Sequence, residues 1–200
     1  MSSPGACSRL AWVFCVRKLM TTLLLVWPLA AQQMAVDFLP AKTQINWTLA
    51  GNVHTVHGTF QLKQGHVAID RSTGTISGDL VADARSGQSE NNSRDKKMHK
   101  DILESERFPD IRFTPQKLDG AVNTIGHSTV RVSGTFLIHG GSHEVTVPMD
   151  VSFSESTISV SGKFSIPYVE WGMKDPSNFV FKVDKSVDVE VLAVGKVGGR

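Results

Sequence analysis

The sequence predicts an all-β protein built as one antiparallel barrel, and three observations lead to this prediction. Apolar and polar residues alternate along most of the chain from Thr43 onward, which puts the apolar side chains on one face of each strand. Turn sequences such as Gly140–Gly141 and Asp119–Gly120 separate the alternating runs. Glycines also fall within several runs on the apolar face, where a sheet that closes into a barrel must bend.

The alternating runs indicate seven or eight long strands, a number typical of a β-sandwich or a β-barrel. Glycines on the inward face favour the barrel, because a sandwich has less need of them, and we expect Gly134 and Gly162 to leave room inside. The inward glycines are Gly58, Gly78, Gly134 and Gly162. The clearest runs begin at Ile45, Val56, Ile76, Val130, Val145, Ile158 and Val187.

One segment without alternation predicts a short helix around residues 92–105. Apolar residues recur there at helical spacing, and Asn92 or Ser93 can cap the start. The apolar stripe consists of Met98, Ile102 and Leu103. We expect this helix to cover an end or a side of the barrel, and a plain surface loop is the alternative.

The first 31 residues have the organisation of a secretory signal peptide. Arg17 and Lys18 precede the apolar run Leu19–Leu29, and small residues follow it up to Ala31. The run is too short to cross a bilayer comfortably as a helix, although an uncleaved anchor is the alternative reading. Translation begins at Met1 or at Met20. We therefore predict export to the periplasm, with secretion as the alternative.

Cleavage after Ala31 changes the charge and the cysteine content of the chain. It removes three basic residues and no acidic residue, so that the formal net charge falls from +2 to −1. Both cysteines, Cys7 and Cys15, are lost as well. The mature chain therefore has no thiol for catalysis, redox chemistry or metal binding. The near-neutral charge also argues against a nucleic-acid partner.

The remainder of the chain shows no internal repeat and no interdomain linker, and we interpret residues 36–195 as one domain and 196–200 as a C-terminal tail. Several motifs occur in this domain in a set order: an Arg–Asp pair before the helix, then aromatic–Pro–x–Ile–x–Phe, and finally Gly–x–Phe–x–Ile–His–Gly. The segments are GTFQLKQGHVAID from Gly58, TGTISGDLVADARS from Thr73, SRDKKMHKDILESERFPDIRFTP from Ser93, VSGTFLIHGGSHEVTVPMDV from Val132 and YVEWGM from Tyr168.

Taken in this order, the segments resemble the YceI-like family of periplasmic proteins, and the resemblance extends from Val36 to Val194. It implies an eight-stranded, lipocalin-like antiparallel barrel with an apolar tunnel. It further implies that the tunnel sequesters or carries a long isoprenoid lipid, either a quinone or a polyprenyl phosphate. The family has no recognised catalytic apparatus, so the resemblance implies neither an enzyme nor a cofactor other than the bound lipid.

Large apolar side chains at inward strand positions are the candidate lining of this tunnel. Periodicity alone is also consistent with a packed core, and only the resemblance favours a tunnel. The candidates are Phe60, Phe113, Phe136, Met149, Phe153 and Phe164. Arg85 and Arg94 are candidate contacts for the head group, since a guanidinium binds phosphate or quinone oxygens. In the structural alternative, Arg94 pairs with a nearby carboxylate.

Other classes of function have weaker support. No Gly–x–Ser–x–Gly motif indicates a hydrolase. The histidines do not show the spacing of a metal site, and we predict no bound metal. A filled barrel that acts in adhesion or envelope stress remains the alternative to a lipid carrier. Transient membrane contact is compatible with the carrier, and the protein is expected to be a monomer or a homodimer.

We predict that the exported protein begins directly after Ala31. The basic, apolar and small regions occur in the order that signal peptidase requires. N-terminal sequencing of protein from the periplasm of the native host measures this directly. A cytoplasmic protein that begins at Met1 would contradict export.

Overall fold

The computed structural model describes residues 33–123 and 125–198, which form nine antiparallel strands and one short helical segment. The predicted signal peptide and the last two residues of the predicted tail lie outside the described residues. In chain order the elements are β1 (Gln33–Phe38), a 3₁₀ turn (Pro40–Lys42), β2 (Gln44–Leu49), β3 (Val56–Asp70), β4 (Thr75–Gln88), α1 (Asn92–Lys97), a π-helical turn (Met98–Ile102), β5 (Asp110–Asp119), β6 (Gly126–Ile138), β7 (Gly141–Ser154), β8 (Thr157–Ile166) and β9 (Val187–Gly198).

The strands close into a barrel with eight positions, which confirms the predicted fold. Each strand from β2 to β9 pairs with the next strand along the chain. This includes β4 and β5, which pair directly although the helical segment connects them. Both β1 and β2 pair with β3 on one side and with β9 on the other. The two short strands therefore share the eighth position and leave no edge of the sheet open.

The strand β1 is an addition to the elements predicted from alternation, which began at Thr43. The break lies at Pro40, which cannot donate a backbone hydrogen bond and begins the 3₁₀ turn. Pairing resumes on either side of this turn, since Leu39 N donates to Val194 O at 2.9 Å and β2 continues along β9. Because the strand before Pro40 has only six residues, its alternation of apolar and polar residues is too short to stand out in the sequence, although Val36 within it is fully buried.

The predicted helix is present, but it is shorter than predicted and begins with a different cap. The side chain of Asn91 accepts hydrogen bonds from Ser93 N at 3.1 Å and Arg94 N at 3.0 Å, so Asn91 is the N-cap in place of Asn92 or Ser93. Helical structure ends at Ile102 and does not reach residue 105. Glu104 adopts a φ of 45°, which stops the helix.

The barrel has two ends, which differ in the connections they carry. The end that we call the helix end holds α1, the loop of residues 50–55, the β6–β7 turn and the long β8–β9 loop of residues 167–186. The end that we call the hairpin end holds the β3–β4, β5–β6 and β7–β8 connections. Each end has its own buried cluster, centred on Tyr168 and Leu103 at the helix end and on Val36 and Ile69 at the hairpin end.

The expectation that Gly134 and Gly162 leave room inside the barrel is wrong. A Cβ at Gly134 would lie 2.3 Å from Thr114 O, because the backbone of β5 approaches this position closely. A Cβ at Gly162 would lie 2.4 Å from the Sδ atom of Met149, whose side chain covers the glycine. Both positions are occupied by neighbouring protein atoms, and the space inside the barrel lies elsewhere.

We predict that Gly134→Ala lowers the free energy of unfolding by about 1–3 kcal/mol, because the clash is with backbone that can move only with the sheet. Gly162→Ala is the matched comparison, and we expect a smaller loss because the flexible Met149 side chain can move aside. Chemical denaturation of both variants measures the difference. Equal stability of the two variants would show that β5 can shift as easily as one methionine.

Candidate functional site

Two apolar cavities lie inside the barrel. The one at the helix end has a volume of about 570 Å³, and the one at the hairpin end has a volume of about 170 Å³. Side chains shared by the two linings show that the cavities adjoin one another. The shared residues are Ile45, Ala82, Ile111, Phe136 and Val189. The larger cavity lies within the roughly 300–1,000 Å³ typical of small-molecule sites.

Aromatic rings cluster near the place where the two cavities adjoin, and one of them, Phe136, lines both. The ring of Phe136 lies 6.4 Å from that of Phe113 and 6.2 Å from that of Phe164, measured between centroids. On the side of the helix end, the ring of Phe136 also lies 5.9 Å from that of Trp171. A long ligand that occupied both cavities would pass this aromatic group, which consists of Phe113, Phe136 and Phe164.

The structure brings five of the six candidate lining residues to the cavities. Phe60 lines the larger cavity, Phe136 lines both, and the smaller cavity is lined by Phe113, Met149 and Phe164. The sixth, Phe153, packs against the buried cluster of the hairpin end and lines neither cavity. Inward alternation places all six side chains inside the barrel, but it could not separate residues that face space from residues that face other side chains. Their role in ligand binding stays a prediction.

The mouth of the larger cavity is formed at the helix end by three segments. Arg94 and Lys97 come from α1, His54 comes from the loop of residues 50–55, and Phe181 and Lys182 come from the β8–β9 loop. No Asp or Glu is among the described residues that line this cavity. The charged groups at the mouth are therefore all cationic, which suits an anionic ligand group.

Arg94 lies at the mouth, where its hydrogen bonds also hold the start of α1 to the preceding residue Ser89. Its Nε donates to the Ser89 hydroxyl oxygen at 2.7 Å, and its Nη2 donates to the Ser89 carbonyl at 2.5 Å. The Ser89 hydroxyl in turn donates to Asp95. The carboxylate partner expected in the structural alternative is replaced by Ser89, which accepts from Arg94 and donates to Asp95.

The other head-group candidate, Arg85, lies apart from the mouth. It is exposed and lines neither cavity, because alternation along β4 turns Ala82 and Ala84 inward and Arg85 outward. The mouth contains instead two lysines that sequence reasoning missed. Lys97 is three residues after Arg94 and so lies on the same helix face, a spacing that could have identified it. No sequence signal pointed to Lys182, which only the path of a long loop brings to the mouth.

Tyr168 anchors the β8–β9 loop beneath the mouth. Its hydroxyl donates to Asp184 O at 2.9 Å, and its side chain is almost fully buried in the cluster of the helix end. Burial raises the pKa of Tyr168 to about 12, with smaller contributions from the negative charges of Asp175 and Asp184. The loop is therefore held to the barrel by a buried neutral phenol.

Ionisable groups elsewhere form separate pairs. His66 Nδ1 lies 2.6 Å from Asp37 Oδ1, and His139 Nε2 lies 3.2 Å from Glu104 Oε1. The hydrogen bond from His139 is the main cause that lowers the pKa of Glu104. Within residues 33–123 and 125–198, no three His, Cys, Asp or Glu side chains converge as metal ligands. In the same residues, no helix has the length and apolarity that crossing a bilayer requires.

The family model of the YceI-like domain matches residues 35–194. The chain belongs to the YceI-like family. A search of curated proteins finds no match to it. Solved structures share the fold at low sequence identity. Burkholderia cenocepacia BcnA is 20% identical, with a TM-score of 0.64, over 79% of this chain and 99% of that one.

Two further solved structures extend this comparison. A polyisoprenoid binding domain from Saccharophagus degradans, implicated in plant cell wall breakdown, is 16% identical with a TM-score of 0.64, over 82% of this chain and 98% of its own. The Campylobacter jejuni YceI protein is 15% identical with a TM-score of 0.53, over 76% and 85%. At these identities the likeness establishes the common fold.

We predict that the phenol of Tyr168 titrates near pH 12. Because its pKa in the folded state lies above the ordinary value of 10.0, the contribution to stability is complete below pH 10.0 and is lost as the pH rises toward about 12. Tyr168 is the only tyrosine in the chain, so ultraviolet absorbance of tyrosinate reports this group alone. Titration at the ordinary value in a folded sample would contradict the buried position.

Proposed function

We propose that this YceI-like protein binds a long isoprenoid lipid inside its barrel and carries or sequesters it in the periplasm. The observation that supports this proposal most strongly is the pair of adjoining apolar cavities, which is open at a cationic mouth. Each methylene of a ligand that leaves water for such a space contributes about 0.8 kcal/mol. Tight binding of a polyisoprenoid chain therefore requires no specific polar contact along its length.

The composition of the mouth favours a prenyl phosphate over a quinone. Lys97 and Lys182 form no ion pair within the described part of the chain, and Arg94 keeps a guanidinium beside them. Cations without a carboxylate partner gain more from a phosphate than from a neutral quinone oxygen. The head group would then lie at the mouth and the apolar chain would extend toward the aromatic rings.

We further propose that the protein binds its ligand without catalysing a reaction. The described lining of both cavities contains no carboxylate, so His54 at the mouth has no acidic partner there to orient it as a general base. The cavity of about 570 Å³ also favours a ligand carrier over the filled barrel that was the alternative from sequence. The family resemblance and the polyisoprenoid binding domain among the structural relatives support the same choice of ligand class.

We predict that an isoprenoid lipid can be extracted from the purified protein and that Ala82→Leu lowers its amount several-fold. Ala82 lines both cavities, so a larger side chain there occupies the passage between them. Organic extraction and mass spectrometry give the lipid content, and the mass distinguishes a quinone from a prenyl phosphate. Thermal stability is measured on the same samples.

Ala84→Leu is the control for this experiment. Ala84 is buried on the same strand and lines neither cavity. Both substitutions therefore overpack the interior and lower the free energy of unfolding by about 1–3 kcal/mol, but only Ala82→Leu occupies ligand space. Equal lipid loss in both variants would show that the loss reflects stability alone. A wild-type protein without any isoprenoid would refute the proposed function.

A further inference from the structure

Exposed apolar side chains concentrate beside the mouth of the larger cavity. Phe179 is 98% exposed, Val180 63% and Phe181 50%, and all three lie at the tip of the β8–β9 loop. Val53, on the neighbouring loop of residues 50–55, is 61% exposed. Elsewhere in residues 33–123 and 125–198, the large exposed apolar side chains are Ile125 and Leu192, which are isolated from one another.

Hydrogen bonds hold this tip, which we define as Asn178–Phe181, in one conformation. The side-chain oxygen of Asn178 accepts from Val180 N at 3.0 Å and from Phe181 N at 2.7 Å, and Asn178 N donates to Phe181 O at 2.8 Å. These hydrogen bonds close a turn in which the ring of Phe179 points into solvent. The exposure is therefore built into the loop.

The tip is also fixed to the barrel at the mouth. Asn52 Nδ2 donates to Val180 O at 3.1 Å, and the Asn52 carbonyl of the side chain accepts from Lys182 N at 3.0 Å. Asn52 N donates to Lys182 O at 2.9 Å, and Gly51 forms a backbone bridge with Val183. The two loops thus carry their apolar side chains on one rim of the cavity.

Positive charge accompanies the apolar tip at this rim. Lys182 follows the tip directly, and Lys97 and Arg94 lie at the same mouth. The acidic residues of the β8–β9 loop are Glu170, Asp175 and Asp184, and all three lie outside the tip. Asp175 accepts a hydrogen bond from Ser177 N, and the backbone carbonyl of Asp184 accepts one from the Tyr168 hydroxyl. An apolar tip with adjacent cations has the composition of a segment that binds the surface of an anionic bilayer.

We propose that the Asn178–Phe181 tip docks the barrel on an anionic lipid bilayer, with the mouth of the larger cavity against the membrane. Phe179 enters the boundary between head groups and acyl chains, and Lys182, Lys97 and Arg94 contact the anionic head groups. This inference rests on the proposed function, because it supplies a route by which a lipid passes between membrane and cavity without crossing water. A second copy of the chain is less suited to the tip, since stable protein interfaces use roughly 20–30 residues a side.

Binding to lipid vesicles tests this proposal. Wild-type protein is expected to bind vesicles of phosphatidylcholine with phosphatidylglycerol and to bind vesicles of phosphatidylcholine alone more weakly. Phe179→Ser should lower the partition coefficient by about 10- to 100-fold, the effect of returning one phenylalanine side chain to water. Lys182→Gln should weaken binding to the anionic vesicles and leave binding to the neutral vesicles unchanged.

Ile125→Ser is the matched control. Ile125 is 88% exposed and belongs to the connection at the hairpin end, so its loss removes an equally exposed side chain far from the tip. All proteins carry the same N-terminus, determined by sequencing, so that the apolar run Leu19–Leu29 contributes equally where it is retained. The control should bind vesicles as the wild type does.

Three outcomes would overturn the proposal. The wild type does not bind vesicles, Phe179→Ser binds them as well as the wild type does, or Ile125→Ser loses as much binding as Phe179→Ser. Sedimentation velocity adds a further criterion. If the wild type does not bind vesicles but self-associates, and Phe179→Ser abolishes the self-association, the tip is a protein interface and the proposal is wrong. Lipid content by extraction is measured in parallel. Bound isoprenoid without vesicle binding refutes the docking alone, whereas vesicle binding without bound isoprenoid refutes the carrier function.

Discussion

The closure of the sheet between β3 and β9 is the constraint on which the rest of the molecule depends. Two short strands interrupted at Pro40 share one position there, and through them each strand has hydrogen-bonded neighbours on both sides. Closure leaves no exposed edge for other chains to extend. It also sets the number of positions at eight, for which the interior is close to the size that side chains alone can fill.

The way the interior is filled decides where a ligand can lie. Backbone approach and the side chain of Met149 occupy the space at Gly134 and Gly162, whereas small residues such as Ala82 leave space near the middle. The ring of Phe136 lines both cavities, and the rings of Phe113 and Phe164 lie beside it on the wall of the smaller one. The two cavities adjoin near the middle of the barrel, and the larger one is at the helix end.

The helix end combines features that each have a structural cause. The Asn91 cap and the interaction of Arg94 with Ser89 hold α1 at the mouth, and Tyr168 and Asn52 hold the long β8–β9 loop across from it. Holding these segments in place fixes cations and exposed aromatic rings on one rim. The hairpin end has short connections and carries no comparable collection of groups among the described residues.

Alternation in the sequence determined the antiparallel strands and their inward faces, because a strand turns successive side chains to opposite faces whatever its neighbours are. The inward glycines favoured a barrel over a sandwich. The family resemblance added the number of strands. Only the tertiary structure decided that Phe153 packs against protein, that Arg85 faces outward, that β1 shares a position with β2 and that Lys182 reaches the mouth. These facts depend on contacts between residues distant in sequence, such as Asn52 with Lys182 and Gly134 with Thr114, and no local pattern encodes which strand or loop will lie opposite.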